Sequence, residues 1–386
     1  MQHMIEKIIN RSLESKNLVG ANCIVLKDGE ELFGGAFGFS DKEKGIPMSR
    51  DSIFRLFSLT KPVTSAAAMI LIDRGLFSPD DAVSDFFPEY SELSYMDENG
   101  DIKPCNTVMR VSHLLTMTSG LPYANNYNVS VKAAAKIFDA LEDGQRTGIG
   151  ITTDEFCRRA AKIPLSFVPG KHWDYGISAD ILGGIIEKAS GMKLSEFMEE
   201  NIFRPLGMKD TGFYVPKDKL SRFTVLYEWS DSGLVRCDKA FLGLTDYTAP
   251  PMFESGGAGL VSTIGDYAKF ACALANGGNL GETRLFGQET FNYMVAPKLG
   301  EFQQNDMWER LAGYNYSCLM RVMTAVSSSQ TGTVNGEFGW DGWTGTYFCA
   351  DPNNKVVCLF FTQICGAGTT YEAVEIGKTV YRGLGL

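Results

Sequence analysis

Ser58-Leu59-Thr60-Lys61 sets a hydroxyl and an amine three residues apart. On a helix, residues at that spacing share a face, so the lysine Nζ can reach the serine Oγ. A serine hydroxyl is a weak nucleophile that must lose its proton as it attacks. A neutral lysine can take that proton if its pKa falls from about 10.4 towards 7, a shift on the order of 4 kcal/mol that burial can supply. Pro62 lacks an N–H and is tolerated near a first turn, which places the helix start near Ser58. The helix then runs to Arg74 with an apolar face at Val63, Ala66, Ala67, Ile70 and Leu71, and Gly75 stops it. Ser58 is thus expected at a helix N-terminus, where backbone N–H groups favour negative charge on a reacting oxygen.

A second serine and lysine at the same spacing, Ser190-Gly191-Met192-Lys193, shows how little the spacing means alone. Gly191 reads as a helix C-cap, which leaves Ser190 and Lys193 on a solvated turn. Other nucleophile chemistries lack support. The three histidines are His3 in the N-terminal segment, His113 at a helix start and His172 after Pro169-Gly170-Lys171. No Gly-x-Ser-x-Gly elbow of the Ser-His-Asp hydrolases occurs. Neither an HExxH nor a CxxC pattern is present, so metal chemistry has no visible basis.

The elements that must position Ser58 and Lys61 can be read around them. An amphipathic helix opens the chain, with Ile5, Ile8, Ile9 and Leu13 on one face. Strand-like runs at 21–26 and 31–39 flank the hairpin signal Asp28-Gly29. Near the other end, 346–350 and 355–362 read as strands around Asp351-Pro352-Asn353-Asn354, followed by a helix over 371–382. Between these ends, 111–117, 153–161, 178–189 and 195–203 carry helical periodicity punctuated by Gly or Pro. Long loops are expected over 91–108, 123–130 and 230–251. The pattern predicts an antiparallel sheet domain split in sequence, 1–75 with 255–386, and an inserted mainly helical domain over 76–254.

Composition narrows the function classes. The 386 residues are 44% hydrophobic and 21% charged, which excludes disordered and collagen-like chains. A net charge of −10 disfavours nucleic acid or an anionic membrane as a partner. The nine cysteines are scattered, with no pair at metal-ligand spacing, which reads as reduced thiols in a reducing compartment. Glu6, Lys7, Arg11, Glu14 and Lys16 interrupt the first apolar residues, so no signal-peptide core is expected. The apolar stretches 66–72 and 356–361 are too short to span a bilayer. A cytoplasmic location is expected.

Three blocks taken together carry a resemblance. Ser58-Leu59-Thr60-Lys61 is followed by Trp173-Asp174-Tyr175-Gly176-Ile177, which leads into a helix, and then by Trp340-Asp341-Gly342-Trp343-Thr344-Gly345, read as opening an edge-like strand. They resemble the signature elements of the serine β-lactamase-like superfamily: class C β-lactamases, DD-peptidases and the esterases called family VIII. Supporting blocks are similar too: His113-Leu114-Leu115-Thr116-Met117-Thr118-Ser119-Gly120-Leu121, Pro205-Leu206-Gly207-Met208 and Gly256-Gly257-Ala258-Gly259-Leu260-Val261-Ser262-Thr263. The resemblance covers nearly the whole chain. It implies an α+β, β-lactamase/transpeptidase-like fold in which helices flank an antiparallel sheet. It also implies that Ser58 is acylated, Lys61 accepts its proton, Tyr175 is the second proton shuttle, and backbone N–H groups of Ser58 and Trp343 form the oxyanion hole.

Two departures from the family pattern bear on substrate. β-Lactamases and DD-peptidases usually carry Asn two residues after the tyrosine, where Ile177 stands here. Their third element usually begins with Lys or His, where Trp340 stands here. Losing an amide anchor and a cation favours the esterase branch, which Trp340-Asp341-Gly342 resembles. Trp340, Gly342, Ile177, Phe57, Tyr123 and Trp173 are expected to bind an apolar acyl or alcohol group. The expected function is hydrolysis of small-molecule carboxylic esters through an acyl-enzyme, with no cofactor. The nearest alternative is acyl transfer from the same intermediate to an alcohol. More distant are a β-lactamase or DD-carboxypeptidase, and a non-catalytic binding protein on this scaffold.

Overall fold

A computed structural model describes residues 1–124, 129–147, 150–239, 241–244 and 247–386. Its centre is an eight-stranded antiparallel sheet drawn from the two ends of the chain. In spatial order the strands are Tyr314–Tyr316, Arg321–Met323, Phe338–Asp341, Tyr347–Asp351, Val356–Phe361, Gly20–Lys27, Glu30–Asp41 and Ile46–Pro47. The first strand in sequence pairs with the last, Asn22 opposite Phe361 and Lys27 opposite Val356, which closes the split sheet.

The run Val356–Phe361 is apolar without alternation because both faces of the sheet are covered. Val356, Cys358 and Phe360 pack with Ile5, Ile9, Ile376 and Val380 of the two terminal helices, Gln2–Glu14 and Tyr371–Leu384. Val357, Leu359 and Phe361 point the other way, into a larger core shared with the helix Ile264–Ala275. Neighbouring residues of one strand thus serve two cores, as a side-chain period of two requires.

The helices Thr60–Asp73 and Ser178–Ser190 pack against each other within that larger core. Thr60 to Leu71 is buried at every position rather than along one face. That explains its content of Ala and small hydroxyl residues: neighbours approach from all sides. Two expected loops hold regular structure: a hairpin Leu93–Met96 with Ile102–Cys105 lies in 91–108, and another, Tyr227–Ser230 with Gly233–Arg236, overlaps 230–251. Parts of the expected loops 123–130 and 230–251, namely 125–128, 240 and 245–246, lie outside the described residues. The helix Val129–Thr147 starts inside the former. Among the described residues no helix is long and apolar enough to cross a membrane.

Candidate active site

Ser58 sits on a short 3-10 turn, Phe57–Leu59, that feeds directly into the helix Thr60–Asp73. The expected α-helical start at Ser58 is therefore displaced by two residues. The cause is local: Phe57 has φ +45°, a left-handed conformation that costs a non-glycine residue roughly 1–3 kcal/mol. Surrounding bonds hold it there. Leu56 donates to the carbonyl of Leu260 (2.9 Å) and accepts from the Thr346 hydroxyl (3.1 Å). Leu59 accepts from Tyr267 (2.9 Å), and Thr60 Oγ1 accepts from the Leu260 N–H (3.1 Å). The ring of Phe57 packs edge-on against Trp343, with centroids 5.4 Å apart. The turn is thus held by residues 260–346, distant from it in sequence.

Lys61, one turn on, is completely buried and donates to three acceptors. These are Ser58 Oγ at 3.2 Å, the Tyr123 hydroxyl at 2.9 Å and the Gly257 carbonyl at 2.9 Å. Burial lowers its pKa to about 7, against the pull of Asp180 and Asp341, which favour the charged form. Asp180 acts through the backbone as well. Its carboxylate accepts from Ser255 Oγ (2.6 Å) and the Gly257 N–H (3.0 Å), which fixes the peptide whose carbonyl holds Lys61. Burial pushes the Asp180 carboxyl upward, opposed by the charge of Lys61 and by those hydrogen bonds. Gly257 leaves room for this: a Cβ there would stand 2.8 Å from Asp180 Oδ2.

Tyr175 reaches the same point from another element. Its segment pairs with the Tyr123 segment through a bridge between Pro122 and Gly176, and a Cβ on Gly176 would lie 1.8 Å from the Leu121 carbonyl oxygen. Only glycine lets the two backbones come this close. The Tyr123 and Tyr175 rings end 5.7 Å apart, and Lys61 Nζ lies 4.6 Å from the Tyr175 ring centroid. The Trp340 indole N–H donates to the Tyr175 hydroxyl at 3.0 Å. Burial drives the Tyr175 phenol well above its usual range despite the opposing pull of Ser58 and Trp340. At neutral pH the site therefore holds a protonated phenol beside an amine that loses its proton readily.

These groups open onto a cavity of about 500 Å³ walled mainly by aromatic rings: Phe57, Tyr123, Tyr175, Phe241, Trp308, Trp340 and Trp343. Ser58 lines it too, with Arg310 and Asp341 as its charged wall residues. Three of the expected substrate contacts stand elsewhere. Ile177 is fully buried in the core at the start of the helix Ser178–Ser190. Trp173 is buried behind the wall, its ring 5.3 Å from that of Trp308 and 5.5 Å from that of Tyr316. Gly342 serves backbone packing, since a Cβ there would meet Thr346 Oγ1 at 2.0 Å and the Leu56 carbonyl oxygen at 2.4 Å.

The strand Phe338–Asp341 is not at an edge of the sheet: Tyr347–Asp351 flanks it on one side and Arg321–Met323 on the other. Pairing with Arg321–Met323 covers only Phe338 and Gly339, and Trp340, Asp341 and Trp343 beyond it line the cavity. Sequence reasoning missed Phe241, Leu242, Trp308, Arg310 and the role of Asp180. Only Asp180 left a signal, as a lone carboxylate among apolar residues near the start of a helix.

The histidines take other positions. His113 Nδ1 accepts from the Arg110 N–H at 3.1 Å, and His172 Nδ1 lies 3.1 Å from Asp306 Oδ2. Among the described residues no group of three or more His, Cys, Asp or Glu could hold a metal ion.

Fold and cavity together define a β-lactamase/transpeptidase-like protein. The chain belongs to the Beta-lactamase family, whose model matches residues 5–373. It is similar to Esterase EstB of Burkholderia gladioli, 33% identical over 394 residues that cover 97% of this chain and 92% of that protein. Among solved structures it resembles EstCE1, described as a hydrolase with promiscuous acyltransferase activity, with a TM-score of 0.83 at 22% identity. That match covers 98% of this chain and 97% of the other. The unliganded simvastatin synthase LovD of Aspergillus terreus gives a TM-score of 0.79 at 23% identity, over 97% of this chain and 96% of that one.

Proposed function

We propose that this protein is a serine esterase that cleaves carboxylic esters through an acyl-enzyme on Ser58. The observation that carries the reading is the buried Lys61, within 3.2 Å of Ser58 Oγ and with its pKa lowered to about 7 by burial. At neutral pH a large fraction of it is free amine, able to take the hydroxyl proton as Ser58 Oγ bonds to the ester carbonyl carbon. Phe57 and Trp343 bracket the turn, and the backbone N–H groups of Ser58 and Trp343 would receive the developing oxyanion. Tyr175, kept protonated by burial, gives its proton to the departing alkoxide as the carbonyl carbon–oxygen bond breaks. It is restored from the protonated Lys61. Water then attacks the acyl-enzyme with the same groups in reverse, which releases the acid and frees Ser58.

An apolar, aromatic cavity suits uncharged acyl groups of short or medium length. The similarity to Esterase EstB supports the ester as substrate. A second reading, transfer of the acyl group to an alcohol, draws on the same wall: aromatic surface favours an organic acceptor over water. The test is a panel of acyl esters assayed with and without added alcohol, following released acid and new ester together. Acid alone defines an esterase, new ester in excess of acid defines an acyltransferase, and neither product overturns both readings.

A further inference from the structure

Among the described residues the cavity wall carries one cation that the esterase reading leaves unused. Arg310 lies on the short turn Glu309–Leu311, half-exposed on the wall of the pocket. Its guanidinium rests on the Trp308 ring, 4.4 Å from the centroid. A buried carboxylate oxygen, Asp341 Oδ2, stands 3.5 Å from Arg310 on the inner side. At that distance the pair is Coulombic rather than a short hydrogen bond. Among the described residues the partners of the guanidinium are the Trp308 ring and Asp341. It is steadied by an aromatic face and one charge, and it brings a planar fork of N–H donors to the cavity wall.

A fork of N–H donors matches a carboxylate, which it can bind through two parallel hydrogen bonds. Asp341, the other charged residue of the wall, is buried and faces Arg310, which offsets its charge. The position of Arg310 also selects one half of the ester. The Trp308 ring lies 5.0 Å from that of Tyr175, so Arg310 stands one ring beyond the phenol. In the proposed reaction Tyr175 protonates the leaving oxygen, so the alcohol half lies on that side. We propose that Arg310 anchors a carboxylate carried by the alcohol half of the substrate, so that the preferred substrates are esters of hydroxy acids or carboxyphenols. The same site would take a hydroxy acid as acceptor in acyl transfer. Arg310 also lies within electrostatic reach of the Tyr175 phenol, on which it exerts a small downward pull.

This inference rests on the acyl-enzyme reading, and the experiment separates the two. The purified protein and its Arg310→Met and Arg310→Lys variants are assayed on 4-carboxyphenyl butanoate and 4-carbamoylphenyl butanoate. Each kcat/KM is corrected by the uncatalysed rate. The readout is the ratio of the acid to the amide, which cancels any general loss from altered folding. Arg310→Met should lower that ratio about ten- to a hundred-fold, the usual worth of a charge-assisted hydrogen bond, mostly through KM. Arg310→Lys should fall between, because it keeps the charge and loses the fork. In the unaltered protein, raising salt from about 20 to 300 mM should lower the same ratio, since a half-exposed pair is screened.

A ratio that both substitutions and salt leave unchanged, with good turnover of both esters, overturns the role of Arg310 and leaves the esterase reading standing. So does an Arg310 dependence confined to the mono-4-nitrophenyl ester of adipic acid, which carries its carboxylate on the acyl half. Absence of turnover on every ester, with no fluorophosphonate label on Ser58, overturns both.

Discussion

The chain contains the same three-residue spacing twice, at Ser58–Lys61 and at Ser190–Lys193, and the two places differ in everything else. Ser58 precedes a helix, while Ser190 ends one. The Ser190 hydroxyl back-bonds to the Ile186 carbonyl at 2.6 Å and accepts from the Met192 N–H at 3.2 Å, so its hydrogen bonding is spent on capping. Gly191, at φ +71°, turns the chain so that Lys193 starts the next helix from an exposed position. Lys61 is buried with three acceptors around it. In the proposed mechanism, serine and lysine can act as nucleophile and base only where burial lowers the amine's pKa and a helix start offers N–H groups. Spacing is a condition for that, not a cause.

The largest expected effect tests the difference directly. Ser58→Ala should lower ester turnover at least about a thousand-fold, as loss of a nucleophile does, while Ser190→Ala keeps full turnover per folded molecule. A fluorophosphonate probe followed by peptide mapping should find the adduct on Ser58 alone. Label on Ser190 would reverse the comparison.

Next come the proton carriers. Lys61→Ala and Tyr175→Phe should each cost at least about a hundred-fold, whereas Lys193→Ala should cost nothing measurable. In the unaltered enzyme, kcat/KM should rise with pH along an acid limb with an apparent pKa near 7 as Lys61 loses its proton. A profile flat from pH 5 to 9 would remove Lys61 as the base.

Stability carries a third signature of smaller size. The folded state lowers the Lys61 pKa from 10.5 to about 7, so the unfolded chain binds more protons between those values and stability rises with pH there. The cost of burying Lys61 is fully present below about 7 and gone above 10.5. Urea unfolding should therefore show that the effect of Lys61→Met is more favourable at pH 7 than at pH 9.5, by roughly 3 kcal/mol. Lys193→Met should show no such pH trend. Smallest of all, His113→Ala and His172→Ala should leave the chemical step within about threefold once folding is corrected, since imidazole is absent from the proposed proton path.

What could be read in the sequence was local. Three-residue spacing put Lys61 beside Ser58, strand-like runs around the turns at Asp28-Gly29 and Asp351-Pro352 placed the terminal strands, and Pro62 and Gly75 bounded the helix to within a few residues. What could not be read was brought in by the fold. The Lys61–Tyr123 bond depends on the bridge between Pro122 and Gly176, two segments with no shared period. Arg310 sits on a turn with no motif, and its place on the cavity wall depends on Trp308 and Asp341. Ile177 was legible as a departure from a family pattern, yet its side chain belongs to the core. Position in a motif names a residue, but only packing decides which way it faces.

The split sheet has a consequence for how the protein is made. Ser58 and Lys61 leave the ribosome long before the strand Val356–Phe361, which must pair with Gly20–Lys27 to join the sheet. Until then the turn at Phe57 lacks the Thr346 hydroxyl and the Trp343 ring that hold its left-handed backbone. Pairings this distant in sequence form slowly, because a long loop must close before they repay it. The nascent chain thus carries Ser58 and Lys61 as an unassembled pair through most of synthesis. Activity should appear in a single late step, with the arrival of the C-terminal strands.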